Sequence, residues 1–199
     1  MVRLGMVRDA GTLKAYLLDQ IVPAQREQEL PYLRFAFEAA SAGHLAELRR
    51  IDLEISAWKL APETREASAQ LGTRRLKALL TIEQAPILKA FATLVMHEVC
   101  RGHHLTVCGL QAAISGVPLG AALATYCYQS LSSICGAAMK LIRIGQDGCQ
   151  IALREATRVS SRTIEASLKV ERSKAGWFNP ALEIASLRHA RATERLFIS

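Results

Sequence analysis

Residues 102–139 read GHHLTVCGLQAAISGVPLGAALATYCYQSLSSICGAAM, a run of 38 positions without one Asp, Glu, Lys or Arg. A chain that keeps charge out of so long a stretch is packing it, and the small residues Ala, Ser, Cys and Gly let helices approach closely. The turn chemistry of Gly116-Val117-Pro118 divides the run into a segment ending at Ile114 and a longer one from Pro118 to Ile144. The longer segment is hydrophobic all round and is expected to be a buried central helix. No apolar run reaches the roughly 18 residues of a membrane span. Glutamine, serine and glycine interrupt each apolar window.

Helical spacing continues on both sides of this stretch. Asp9 leads into Leu13, Leu17 and Ile21, with Pro23 the expected stop. Pro31 opens a segment closed by Gly43. Leu45, Leu48, Ile51, Leu53 and Ile55 supply the apolar positions of the next. Pro62 stands at a first helical turn with Glu63 and Glu66 suited to its positive end, and Leu71, Leu76, Leu79 and Leu80 are expected to face inward. Pro86 restarts the chain. Gly145-Gln146-Asp147-Gly148 reads as a break, followed by short helices over 151–159 and 164–170 and a last one over 182–192. Strand alternation is sustained nowhere. The expected fold is all-α, a single globular multi-helix domain over 1–199.

The chain has 199 residues, half of them hydrophobic, and a net charge of +7. Length and apolar content exclude global disorder. Met1 to Arg8 lack the apolar stretch of a secretory signal, so the expected location is the cytoplasm. The charge is uneven: residues 1–100 carry 13 basic and 12 acidic groups, residues 101–199 carry 12 and 6. This invites an acidic partner surface or a nucleic acid, but the basic residues come singly or in pairs, as in Arg49-Arg50, which argues against nucleic acid.

Candidate chemistry is sparse. His97-Glu98-Val99-Cys100-Arg101 starts like a zinc-protease helix, but Arg101 stands where the second histidine is needed. His103 and His104 follow too late. The five cysteines, Cys100, Cys108, Cys127, Cys135 and Cys149, form no CxxC pair and read as buried thiols. Phosphate-binding glycine loops and serine-nucleophile motifs are absent, and Asp147 is the one acidic residue between Glu98 and Glu155. The chain is therefore expected to be no enzyme and to carry neither a catalytic residue, a cofactor nor a metal. The end of the chain combines Arg188, His189 and Arg195 with the apolar tip Leu196-Phe197-Ile198. Such a tip is costly to leave in water and suits either its own core or a partner, with Arg195 a bidentate fork and Phe197 an anchor.

Several of these stretches carry a resemblance. Gly5-Met6-Val7-Arg8-Asp9, Pro118 to Tyr126, Leu141 to Gln150, Glu183 to His189 and Arg195 to Ser199 together resemble the UreF family of urease accessory proteins. The resemblance implies an all-helical, non-enzymatic scaffold that forms a homodimer and binds UreD, called UreH in some bacteria. With UreD it recruits the nickel-carrying GTPase UreG and engages apo-urease, regulating GTP hydrolysis and nickel delivery. It assigns Arg188, His189, Arg195, Leu196, Phe197 and Ser199 to the UreD contact or its support, with Gln146 and Gln150 as polar loop residues beside it. Gln150 equally fits a cap on the following helix.

Three departures stand out. Family members carry an upstream Gly-Gly-Phe-Ser-like stretch and a His-Gly-Leu-Glu element that this sequence lacks, which bears on UreG binding. Ile198 replaces an arginine. Cys149 stands at a variable position, and one thiolate defines no nickel site. Two competing readings are a truncated, non-functional paralogue and a basic helical nucleic-acid-binding module, the latter requiring steeply salt-dependent binding.

Overall fold

The computed structural model describes residues 1–2 and 5–190. Among these residues the regular structure is entirely helical. The helices are α1 (Ala10–Tyr16), α2 (Val22–Ala24), α3 (Leu30–Ser41), α4 (Leu45–Trp58), α5 (Pro62–Ile82), α6 (Pro86–Met96), α7 (His104–Ile114), α8 (Leu119–Leu141), α9 (Gln146–Thr157), α10 (Ser160–Ser167) and α11 (Pro180–Ala190). The all-α expectation holds, and its boundaries fall mostly within a few residues of those read from sequence.

Pro23 does not stop the first helix. Asp9 caps α1 through a capping box with Thr12, its Oδ1 accepting from the Thr12 N–H at 2.8 Å. The chain then stays helical to Ser41 through two π-helical turns, Leu17–Ile21 and Gln25–Glu29. The Val22 N–H donates to the Leu17 carbonyl and the Leu30 N–H to Gln25, one residue further back than in an α-helix. These wide turns bracket Pro23, which has no N–H to give to an α-helical ladder.

The chain forms two compact units. The first comprises residues 1–31 and 123–179. Within it α9 packs on α1, where Gly148 brings its backbone so close that an added Cβ would meet the Ala10 methyl at 3.1 Å. α10 packs against the Gln25–Glu29 turn. Gln25 is fully buried; its Nε2 donates to the Cys127 carbonyl at 3.3 Å while the Cys127 thiol donates to Gln25 Oε1 at 3.1 Å.

The second unit comprises residues 32–122 and 180–199, of which 180–190 are described. α5 packs on α7, α4 on α6 and α7, and α11 on α5. Two glycines set the closest approaches. At Gly72 in α5 a Cβ would stand 1.9 Å from the Gly102 carbonyl oxygen, and at Gly109 in α7 it would stand 2.6 Å from that of Leu33. The phase of two helices differs from the sequence reading: Leu53 is 41% and Leu71 51% exposed, so neither belongs to the core.

The expected burial of the long uncharged helix holds on one face. Leu123, Cys127, Leu131, Cys135 and Ala138 of α8 are buried, whereas Tyr128 is 54% and Met139 41% exposed. Ala121, Ala124, Thr125 and Ser133 are also exposed, so α8 is not enclosed all round. Lack of charge marks an apolar or neutral surface here as well as a core. No helix among the described residues is long and apolar enough to cross a membrane.

Candidate functional site

In the second unit one carboxylate organises the approach to α7. Asp52 follows Leu48 by one helical turn and so points inward with Leu48, Ile51 and Ile55, at 0% exposure. Its Oδ2 accepts from the backbone N–H groups of Arg101 at 2.8 Å and Gly102 at 2.9 Å; its Oδ1 accepts from the His103 N–H at 2.6 Å and the Thr106 hydroxyl at 2.8 Å. These donors precede or open α7, whose N-cap His103 gives no side-chain cap. Asp52 therefore takes the capping role from across the unit. The linking segment turns sharply to reach it, with Glu98 at φ 57° and Gly102 at φ 68°.

The His103 ring is buried beside this carboxylate without bonding it. Ser56 Oγ lies 2.7 Å from Nε2 and Ser68 Oγ 3.2 Å from Nδ1. Burial lowers the His103 pKa to about 4, opposed by the charge of Asp52 and reinforced by Lys59, Arg101 and Arg65. A serine on a neutral imidazole has the elements of nucleophile and base, but the acid that would orient the ring is spent on backbone N–H groups. Ser56 opens onto a groove of about 660 Å³ that Leu53, Pro62, Arg65, Glu66 and Arg101 also line. The arrangement has the character of a satisfied structural node beside an open groove of mixed lining.

The other candidate ligands separate. His97 is the C-cap of α6 and exposed, and the helix ends before Glu98, so the zinc-protease spacing never lies on one helix. Cys100 is buried, its thiol pushed up to about 12 by burial and the Asp52 charge. His104 stands in the first turn of α7 with Cys108 Sγ at 3.5 Å from Nε2. Cys149 is 2% exposed and donates to the Cys135 carbonyl at 3.2 Å. Among the described residues no group of three or more His, Cys, Asp or Glu is arranged to hold a metal ion.

Gln146 and Gln150 are helical rather than loop residues. α9 starts five residues earlier than expected because Gly145, extended at φ −68° and ψ 164°, is its N-cap and Gly148 can pack inside it. One turn apart, the two glutamines share an exposed face of α9. Arg188 and His189 lie in α11. Arg195, Leu196, Phe197 and Ser199 lie outside the described residues.

The model of the UreF family matches residues 7–157, from Val7 to Thr157. The chain belongs to the UreF family. It is 32% identical over 203 aligned residues to the urease accessory protein UreF of Paenarthrobacter aurescens (strain TC1), covering 100% of this chain and 86% of that one. Urease accessory protein UreF of Actinobacillus pleuropneumoniae serotype 3 (strain JL03) is 28% identical, with 100% and 87% covered. That of Haemophilus influenzae (strain ATCC 51907 / DSM 11121 / KW20 / Rd) is 26% identical, with 100% and 84% covered.

This UreF-family chain is thus an accessory protein of urease maturation, the nickel-insertion process, and works through protein partners. Reading the sequence alone missed the Asp52 node. Its signal was available: Asp52 sits four residues after Leu48 and three before Ile55, on the apolar stripe of its own helix.

Proposed function

We propose that this protein is a cytoplasmic assembly factor that bridges UreD, or UreH, and the GTPase UreG on apo-urease, regulating GTP hydrolysis and nickel delivery without catalysis of its own. The observation that carries this reading is the family match through most of the described chain. The exposed face of α9 that presents Gln146 and Gln150 supports a UreD contact there; Arg188, His189, Arg195, Leu196, Phe197 and Ser199 are the further UreD-binding residues of this reading. The neutral, exposed stripe of α8 around Tyr128 supports a homodimer, since two chains of net charge +7 approach with least repulsion where neither carries charge. Residues 1–199 act as one domain in this reading, because two of the three passages between its units lie within continuous helices, α3 and α8.

Size-exclusion chromatography with light scattering tests the bridge. The chain mixed with its cognate UreD is expected to elute as a defined complex, and a variant truncated after Ala192 to lose it. Failure of the intact chain to co-migrate with UreD overturns the proposal. Retention of the complex by the truncated variant removes the tail from the contact.

A further inference from the structure

We propose that Cys135 and Cys149 are a dithiol pair that closes to an intramolecular disulfide, a modification site joining α8 to α9 within the first unit. Cys135 stands on the buried face of α8 at 3% exposure and Cys149 in the opening turns of α9 at 2%. Cys149 Sγ is 3.2 Å from the Cys135 carbonyl oxygen, so the α9 thiol touches the residue that carries the α8 thiol. The other cysteines are engaged elsewhere: Cys127 with Gln25 and Ser160, Cys108 with His104, Cys100 buried beside the Asp52 node. Two buried cysteines in contact on separate helices meet the first requirement of a disulfide, residues brought together by the fold.

At rest the Cys135 thiol is quiet. Burial and the neighbouring Cys149 push the Cys135 thiol up to about 12, so its thiolate is scarce. Access comes from the segment between α8 and α9, where residues 143–145 are not helical and Gln146 and Asp147 are exposed. Local opening of that end admits a small oxidant. The co-reactant is a low-molecular-weight disulfide. The thiolate of Cys149 attacks one of its sulfurs and expels a small thiolate. Cys135, deprotonated, then attacks the Cys149 sulfur of the mixed disulfide and expels the second. One protein S–S bond forms and one small-molecule S–S bond breaks; the two protein protons end on the two released thiols. The product closes the segment 135–149 and fixes the opening turns of α9 to α8.

Oxidised glutathione is the probe. The full chain is incubated with it, free thiols are alkylated, and the protein is cut with trypsin and chymotrypsin. Cleavage after Lys140 separates Cys149 from the α8 cysteines, and cleavage after Tyr128 separates Cys135 from Cys127. The expected result is a single intramolecular cross-link, Cys135 to Cys149, that dithiothreitol reverses and Cys149→Ser abolishes. Absence of this cross-link in the wild-type chain, or cross-links scattered among Cys100, Cys108 and Cys127, overturns the proposal whether or not the serine variant folds. The readout is chemical and does not depend on UreD binding, so it stands or falls apart from the assembly role.

Discussion

The two units hold their buried polar groups in opposite ways. The unit around α7 stakes its order on one ion: Asp52, wholly buried, gathers three backbone N–H groups and one hydroxyl. The unit around α8 and α9 uses neutral groups, with Gln25 and Cys127 satisfying each other and Cys149 bonded to a carbonyl. A buried carboxylate is costly to desolvate and holds its donors firmly once paired. Thiols and amides cost less to bury and bind less. The first unit is therefore the chemically adaptable one, and the second the one in which single changes should weigh most.

Asp52→Ala should break this contrast most severely. It strands the buried N–H groups of Gly102 and His103 together with the Thr106 hydroxyl. The expected loss is about 3–5 kcal/mol in urea unfolding. Cys149→Ala in the other unit should cost clearly less, since it removes one weak thiol bond and little volume. Equal losses would mean that the carboxylate is no anchor. Gly72→Ala attacks the same node sterically, placing its methyl 1.9 Å from the Gly102 oxygen unless the segment moves off Asp52. About 2–3 kcal/mol is expected, and a neutral result would show that the segment shifts freely.

Acid should act on the same unit. Burial, the larger cause in each case, holds both His103 and His104 at a pKa of about 4; Arg75 and Lys59 add to it at His104. The unfolded chain takes up these protons nearer pH 6.5, where free histidine titrates. Stability is thus fully present above that pH, falls as pH drops towards 4, and levels off below. Between pH 7 and pH 5 the expected loss is about 2 kcal/mol for each histidine and about 4 kcal/mol for the two together, read from urea midpoints. His103→Gln should flatten the profile; an unchanged slope would assign the protons elsewhere.

Helix positions and family were legible in the sequence because apolar spacing, proline, glycine and motif residues report local and ancestral constraints. Pro62 opened its helix as read, and the Gly116-Val117-Pro118 turn fell where expected. The misreadings have a common origin in tertiary context. Pro23 reads as a stop unless the chain can widen to π-helical turns around it. Leu53 and Leu71 are apolar yet exposed, because helical phase and not hydrophobicity alone selects the inner face. Asp52 was passed over because its partners, Arg101 to Thr106, lie some fifty residues away and no local pattern announces them. Gln146 and Gln150 read as loop residues because their glycine neighbours look like breaks, while Gly148 serves contact with Ala10.

Arg101 offers the finest test, because it makes both kinds of bond. Its backbone N–H belongs to the Asp52 cap, while its guanidinium pairs with Glu66, both side chains being 52% exposed. Arg101→Ala leaves the backbone bond in place and deletes only the ion pair. Water and salt already screen that pair, and holding two long side chains together costs entropy. The expected loss is below about 1 kcal/mol and shrinks further in high salt. One residue then separates the two contributions: if Arg101→Ala approached the cost of Asp52→Ala, the surface pair and not the buried carboxylate would be holding the segment.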